Sequence, residues 1–241
     1  MTASPESYFD LQLRFAAHYA RIARVPLRAA VDTCTNLRRR FGWMDAGRAA
    51  HWEAFLHGIA EGADHAQVLR QACETHAARG PTPTLAKAFG CFSYEVHARE
   101  GVLRIHFMEP QPRDPRAGPL ARLRMHERLA ELRALFAHVR AHHPEAVTVL
   151  GVSWLYNLDA YKRLFPPGYG ASAALPSFPL HLSGSSTWGQ VLDHDQQVKP
   201  DVRDALLARL DAMAVQAPWR VFALQALVAS SPIACFHAWY G

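Results

Sequence analysis

The residues best suited to chemistry in this chain of 241 residues lie on two short segments of alternating polarity. Residues 89–98 and 102–108 flank Arg99-Glu100-Gly101, a sequence typical of a reversal between two strands. With a two-residue loop at Glu100-Gly101, Glu95 is predicted to lie opposite His106, at a Cβ separation of about 5 Å. Because successive side chains of a strand alternate between faces, one face of this hairpin is polar and carries Glu95, His97, Arg104 and His106. The other face is apolar, packs into a core, and carries Tyr94, Val96, Ala98, Leu103, Ile105 and Phe107.

This polar face is compatible with more than one kind of site. Glu95 or His106 can act as a general base, because that role needs one group that titrates near neutral pH and a carboxylate that orients it. Alternatively, Glu95, His97 and His106 bind a divalent metal ion as a facial triad. A third interpretation is an open, solvated face of the sheet, because Arg104 would repel a cation there.

A second candidate site precedes a long amphipathic helix that is predicted from Leu120 to about His142. The segment before it is a proline-rich turn, residues 110–119. Arg113, Arg116 and Arg122 lie where the unpaired N–H groups and the dipole of the helix favour an anion. The alternative is a proline-rich linker whose arginines are solvated.

Two further features are interpreted as structural. Cys91 lies in an apolar strand with no cation beside it in the sequence, so we expect a buried, unreactive thiol. Arg38, Arg39 and Arg40 lie in the last turn of a helix predicted from about Leu27 to Phe41. Consecutive helical residues point in different directions, so a solvated helix end is favoured over an anion or RNA contact.

The elements that must position these residues divide the chain into two parts. Apolar residues at three- and four-residue spacing predict helices through residues 7–79, whereas from Ala88 the period changes to two. We therefore predict an α+β (mixed α/β) fold, with a helical domain at residues 1–80 and a mixed sheet flanked by helices at residues 88–241. The later elements are predicted to be a strand at Ala146–Trp154, a short helix at Asn157–Phe165, a helix from Lys199 to Val215 and a strand at Trp219–Ala229.

From residue 89 to about 240, the order of these elements resembles the GNAT acetyltransferase superfamily. In that family the loop after the second of these strands reads Arg/Gln-x-x-Gly-x-Gly/Ala and binds the cofactor pyrophosphate. Arg113 and Gly118 match this pattern, and Arg116 stands where the first glycine belongs.

A second motif of the family follows the next strand. The family's Asn-x-x-Ala recurs as Asn157-Leu158-Asp159-Ala160. The tyrosine that is usual four residues after this alanine is Leu164 here, so Tyr161 would have to substitute for it.

The resemblance implies an N-acyltransferase that binds coenzyme A or acyl-coenzyme A between the second and third strands and acylates a small-molecule or peptide amine. The implied catalytic residues are Glu95 or His106 as the base and Tyr161 as the acid. The implied cofactor-binding residues are Arg113, Arg116, Gly118, Arg122 and Asn157. Two alternatives stay open, a non-enzymatic protein that binds a partner or forms a homodimer, and the metal-dependent enzyme described above.

The composition of the chain indicates its cellular compartment and argues against several classes of partner. The first thirty residues contain no uninterrupted apolar segment, so we expect no signal peptide and a cytoplasmic protein. No apolar window approaches the ~18 residues of a spanning helix, which predicts no membrane partner. The net charge of +5 is small and interrupted by acidic residues, which argues against a nucleic-acid partner. The four cysteines are far apart, so neither a structural zinc site nor a disulfide framework is expected.

Overall fold

The structure is a computed structural model that describes residues 5–59, 62–79, 88–108, 117–178 and 182–241. It has the α+β fold that the sequence predicts. The helices in these ranges are α1 Glu6–Ala23, α2 Leu27–Cys34, α3 Leu37–Arg40, α4 Ala49–His57, α5 His65–Ala77, α6 Met125–His142, α7 Asp159–Lys162, α8 Pro167–Ala171, α9 Ser185–Trp188, α10 Pro200–Leu207 and α11 Ile233–Tyr240. The strands are β1 Ala88–Phe89, β2 Phe92–His97, β3 Val102–Phe107, β4 Thr148–Ser153 and β5 Leu227–Pro232. None of these helices is both long and apolar enough to cross a membrane.

Contacts between Cα atoms divide the chain into two compact units that alternate along the sequence. Unit 1 comprises Met1–Thr82 and Phe178–Gln225, and unit 2 comprises Pro83–Ser177 and Ala226–Gly241. The structure therefore differs from the continuous second domain predicted at residues 88–241. The reason is the tertiary packing of Phe178–Gln225, whose apolar side chains contribute to the core of unit 1.

Trp188 shows why this segment belongs to unit 1. The indole is fully buried, and its ring packs against Phe15 of α1 and against Phe222, at centroid distances of 5.2 and 4.9 Å. Its Nε1 donates a hydrogen bond of 3.0 Å to the carbonyl oxygen of Cys34. The apolar residues 219–229, predicted as one strand, are divided between the units, since Phe222 is buried in unit 1 and β5 begins only at Leu227.

The second predicted helix is also interrupted. In place of one helix from Leu27 to Phe41, α2 ends at Cys34 and α3 begins at Leu37. Thr35 is extended and its Oγ1 donates to the carbonyl oxygen of Val31, while the N–H of Asn36 donates to Gln12 Oε1 at 2.7 Å. Thr and Asn side chains compete in this way with the hydrogen bonds that would continue a helix.

The sheet of unit 2 contains the strands in the order β1-β2-β3-β4-β5. β1, β2 and β3 are antiparallel, β3 and β4 are parallel, and β4 and β5 are antiparallel. α6 lies in the crossover between the two parallel strands, as such a connection requires. Contacts of Tyr94 with His138 and of Phe107 with Tyr161 place α6 and α7 on the same face of the sheet, which we call the helical face.

The register of the β2–β3 hairpin differs from the predicted one. Val96 pairs with Leu103 and His97 with Val102, because the chain reverses through a 3₁₀ turn at Ala98–Glu100 and Gly101 rather than through two residues. The predicted cross-strand pairing of Glu95 with His106 is therefore wrong. The longer loop moves the register by two residues, an even number, so the predicted division between two faces is retained for the strand residues. Ala98, predicted on the apolar face, is instead exposed in the turn.

Candidate functional site

Glu95 and His106 lie together on the face of the sheet opposite the helical face. In register, Glu95 pairs with Arg104 and His106 pairs with Ser93. Glu95 Oε2 is nevertheless 3.5 Å from His106 Nε2, because diagonal neighbours on one face of a sheet are within reach of long side chains. The Glu95 and His106 side chains are 67% and 42% exposed. The His106 Nε2 atom that faces Glu95 is itself buried, so a solute would reach the imidazole at its other edge. The two groups that the sequence predicts as a base and its orienting carboxylate are therefore close to each other.

His97 does not join this pair. It pairs with Val102 near one end of the β2–β3 ladder, whereas His106 lies opposite Ser93 near the other end. In the part of the chain that the structure describes, no group of three or more His, Cys, Asp or Glu side chains is arranged to hold a metal ion. The alternative metal triad of Glu95, His97 and His106 is not formed, because the observed register separates the two imidazoles.

Tyr161, the predicted acid, lies on the helical face instead. It is 2% exposed, and its ring packs edge-on against Phe107, with the centroids 5.4 Å apart. Burial raises the pKa of its hydroxyl well above the usual value, so the group retains its proton. Tyr161 is thus separated from Glu95 and His106 by the sheet itself.

Tyr161 belongs to a group of buried tyrosines next to Gly151 of β4. The hydroxyls of Tyr156 and Tyr169 are hydrogen-bonded at 2.5 Å, and the rings of Tyr156 and Tyr161 are 5.2 Å apart. A Cβ atom on Gly151 would overlap the Tyr156 hydroxyl, so only glycine leaves room for the two hydroxyls at this point of the strand. Nothing in the spacing of these tyrosines along the sequence predicts that they converge on one backbone position.

The predicted cofactor-binding residues are only partly described. Arg113 and Arg116 lie outside the described residues. Gly118 is half-buried, and Arg122 is exposed in a 3₁₀ turn directly before α6. Asn157 is exposed, and its Nδ2 donates to the carbonyl oxygen of Trp154 at 2.8 Å.

The parallel strands β3 and β4 separate part-way along their length. Among the described residues, their ladder consists of Val102, Leu103 and Arg104 with Thr148, Val149 and Leu150. The remaining halves, residues 105–107 of β3 and 151–153 of β4, form no pairs with each other in this ladder. We call this region the strand opening. His106 flanks it on one face of the sheet, and Phe107 with Tyr161 flanks it on the helical face.

No family model, curated protein or solved structure matches this chain. The resemblance to the GNAT superfamily therefore rests on the order of the elements and on the few motif residues quoted above. What the chain does must be inferred from its own geometry.

A buried ionic cluster lies at the end of β3, where the sequence analysis expected no cation near Cys91. Cys91 is buried, as predicted, but Nη1 of Arg128 donates to its Sγ, which corrects that expectation. Arg128 is 3% exposed, and its Nη2 lies 2.6 Å from Glu131 Oε1. Glu131 Oε2 accepts the N–H of Cys91 at 3.0 Å. We call Cys91, Arg128 and Glu131 the thiol–arginine cluster.

This cluster connects the end of β3 to α6, the two described elements on either side of the predicted anion loop in the sequence. Arg128 and Glu131 lie near the start of α6, and the carbonyl oxygen of Cys91 accepts the N–H of Met108 at 2.7 Å. Met108 directly precedes residues 109–116. Burial raises the pKa of Glu131, and the hydrogen bond from Cys91 and the charge of Arg128 oppose that rise. Arg128 precedes Leu132 by four residues, so the apolar stripe of the helix was the available signal that this arginine is buried.

Gly90 allows the cluster to close, and its replacement by alanine is expected to destabilise the protein by about 2–3 kcal/mol. Gly90 has a φ of +59°, and an added Cβ would overlap the Glu131 carboxylate. A left-handed conformation alone costs a non-glycine residue about 1–2 kcal/mol. Gly42→Ala is the matched control, because Gly42 has a φ of +75° and no atom within 4 Å of an added Cβ. Equal losses in urea denaturation would show that Glu131 does not restrict position 90.

Proposed function

We propose that this protein is a coenzyme A-dependent acyltransferase that acylates an amine. The strand opening is the observation that carries the proposal. Backbone N–H and C=O groups of residues 105–107 and 151–153, free of the β3–β4 ladder, would hydrogen-bond the amide groups of the pantetheine arm, as one strand pairs with another. The predicted anion loop begins directly after β3, at the same end of the opening.

The side chains around the opening fit the two proton transfers of acyl transfer to an amine. Bound acyl-coenzyme A would supply an activated thioester carbonyl. His106, oriented by Glu95 at 3.5 Å, accepts the proton of the attacking amine on the exposed face. Tyr161 retains its proton and is on the helical face, where it can donate to a leaving thiolate. The base and the acid thus flank one opening from opposite faces of the sheet.

The resemblance to the GNAT superfamily, in the order of the elements and in a few motif residues, also supports this proposal. It implies a cofactor between these two strands, with its pyrophosphate on the loop that contains Arg113, Arg116 and Gly118. The thiol–arginine cluster connects Met108, directly before that loop, to α6 beyond it. Gly118 and Arg122, which precede α6, would add N–H groups and positive charge for an anion.

Coenzyme A binding tests the proposal. Coenzyme A at about one hundred times its Kd is expected to stabilise the protein by about 2.7 kcal/mol, because a ligand specific for the native state shifts the unfolding equilibrium. The Arg113→Ala/Arg116→Ala variant should lose this stabilisation. The variant Arg209→Ala/Arg220→Ala removes two arginines of unit 1 and should keep it.

The measurement is thermal unfolding with and without coenzyme A, supported by titration calorimetry. The proposal fails if coenzyme A does not stabilise the natural protein. The predicted role of the loop fails if the Arg113→Ala/Arg116→Ala variant responds like the natural protein.

A further inference from the structure

Unit 1 contains a half-buried arginine whose guanidinium is paired with a neutral amide. Arg40, at the end of α3, lies over the ring of Tyr8, with 4.7 Å from its Cζ to the ring centroid. Its Nη1 and Nη2 both donate to Oε1 of Gln196, at 3.1 and 3.2 Å. The amide oxygen of Gln196 thus accepts hydrogen bonds from both terminal nitrogens of the guanidinium. Carboxylate and phosphate oxygens usually occupy this position beside an arginine.

A second arginine lies beside the first. Nη1 of Arg79 donates to the carbonyl oxygen of Arg40 at 2.7 Å. Burial, and then the charges of Arg79 and Arg40, lower the pKa of the nearby His76 to about 4, so His76 is neutral at pH 7. Among the described residues, no carboxylate lies within ion-pair distance of Arg40 or Arg79. Within the described ranges, the two positive charges of this pair therefore have no carboxylate counterion.

The hydrogen-bond network around Arg40 has a surplus of donors. The Tyr8 hydroxyl donates to Asn36 Oδ1 at 3.2 Å, and the N–H of Asn36 donates to Gln12 Oε1. Gln12 and Asn36 are fully buried, yet Gln12 Nε2 and Asn36 Nδ2 have no hydrogen-bond partner among the described residues, and the same holds for Arg40 Nε. An unpaired buried donor destabilises the folded protein, because it has lost its hydrogen bonds to water. Surplus donors and positive charges favour an anionic ligand with several acceptor oxygens.

We propose that Arg40 and Arg79 form a binding site for a phosphate-type dianion, either inorganic phosphate or the phosphate of a monoester. The ligand takes the place of the Gln196 amide on the Arg40 guanidinium, and its two charges match the two arginines. Gln196 has a φ of +61°, an uncommon conformation for a residue other than glycine. This conformation belongs to a tight turn in which the N–H of Gln196 donates to the carbonyl oxygen of Asp193 at 3.1 Å, so only the Gln196 side chain has to move when the ligand binds.

The first test measures the response of thermal unfolding to inorganic phosphate and to methyl phosphate, each against sodium chloride of the same ionic strength. We expect the Tm to rise with phosphate but not with chloride. Arg79→Gln should weaken the apparent phosphate affinity at least tenfold, and Arg39→Gln, which removes an exposed neighbour of Arg40, should leave it unchanged. A response to methyl phosphate alone would identify a monoester as the ligand. The same Tm in chloride, inorganic phosphate and methyl phosphate would overturn the proposal.

Gln196→Glu provides a second test that does not weaken the fold. A carboxylate at this position would occupy Arg40 permanently, so we expect a higher Tm without phosphate and at least a tenfold loss of phosphate affinity. A Gln196→Glu variant that binds phosphate like the natural protein would also overturn the site. Coenzyme A serves as a control, because its effect on the Tm should be the same in the natural protein and in the Gln196→Glu variant. Failure of the phosphate site is therefore distinguishable from failure of the acyltransferase proposal.

Discussion

His106→Gln is expected to lower the rate of acyl transfer by about 10²–10⁴-fold, the usual contribution of a positioned general base. Glutamine retains a polar side chain of similar length but cannot accept a proton near neutral pH. The loss should appear in kcat, because the imidazole acts on the attacking amine and not on the bound cofactor. The rate is measured as free thiol released from acetyl-coenzyme A in the presence of a panel of amines.

His97→Gln is the matched control for this result. It makes the same change on the same hairpin face, but His97 lies opposite Val102, away from the strand opening. It should retain most of the activity. Both variants should be stabilised by coenzyme A as the natural protein is, which separates a catalytic defect from a binding defect. Equal rates for the natural protein and His106→Gln would remove His106 from the reaction.

Glu131→Ala is expected to destabilise the protein by about 3–5 kcal/mol, because it leaves the buried Arg128 without its closest anion. It also removes the acceptor of the Cys91 N–H. Urea denaturation, followed by circular dichroism, measures the loss. Because the cluster connects Met108, directly before the predicted anion loop, to α6 beyond it, the variant should also bind coenzyme A more weakly at temperatures where it remains folded.

The control for this prediction is Glu127, a second carboxylate that contacts the guanidinium of Arg128. Glu127 Oε2 also lies 3.1 Å from Nη2 of Arg128, but the Glu127 side chain is 53% exposed. Glu127→Gln should therefore cost only about 0–1 kcal/mol. Replacing both members of the buried pair, as in Arg128→Met/Glu131→Leu, should recover much of the stability, because no unpaired charge then remains buried. Equal losses for Glu127→Gln and Glu131→Ala would contradict the assignment of Glu131 as the main partner.

The sequence was sufficient for features that depend on local periodicity. Alternation in residues 92–107 gives the two faces of the strands correctly, and the apolar stripe predicts the end of α6 at His142, although the helix begins at Met125 rather than at Leu120. Glu95 and His106 could be placed together because both belong to the polar set of one hairpin. Their contact was predicted through the wrong register, since the conformation of four turn residues is not encoded in the alternation that follows them.

Features that depend on distant residues were not predictable in this way. No local signal shows that Trp188 packs against Phe15, so the helical domain appeared to end near residue 80. The Arg38–Arg40 run was interpreted as a solvated helix end, because the partner of Arg40, Gln196, is far away in the chain. The cation beside Cys91 is likewise supplied by a distant residue, Arg128 of α6. In each case the missing information was a tertiary contact.

The alternation of the two units along the chain also determines the order in which they can be completed during synthesis. All of unit 1 has emerged once Gln225 leaves the ribosome, whereas β4 still lacks its outer neighbour, because β5 begins at Leu227. Until then β4 presents an unpaired edge, which is a template for incorrect pairing with another chain. Residues 154–226 separate the two strands, so a ribosomal pause in this interval would prolong the exposure of that edge. Synonymous codon changes here would therefore alter the yield of soluble protein without altering the native structure.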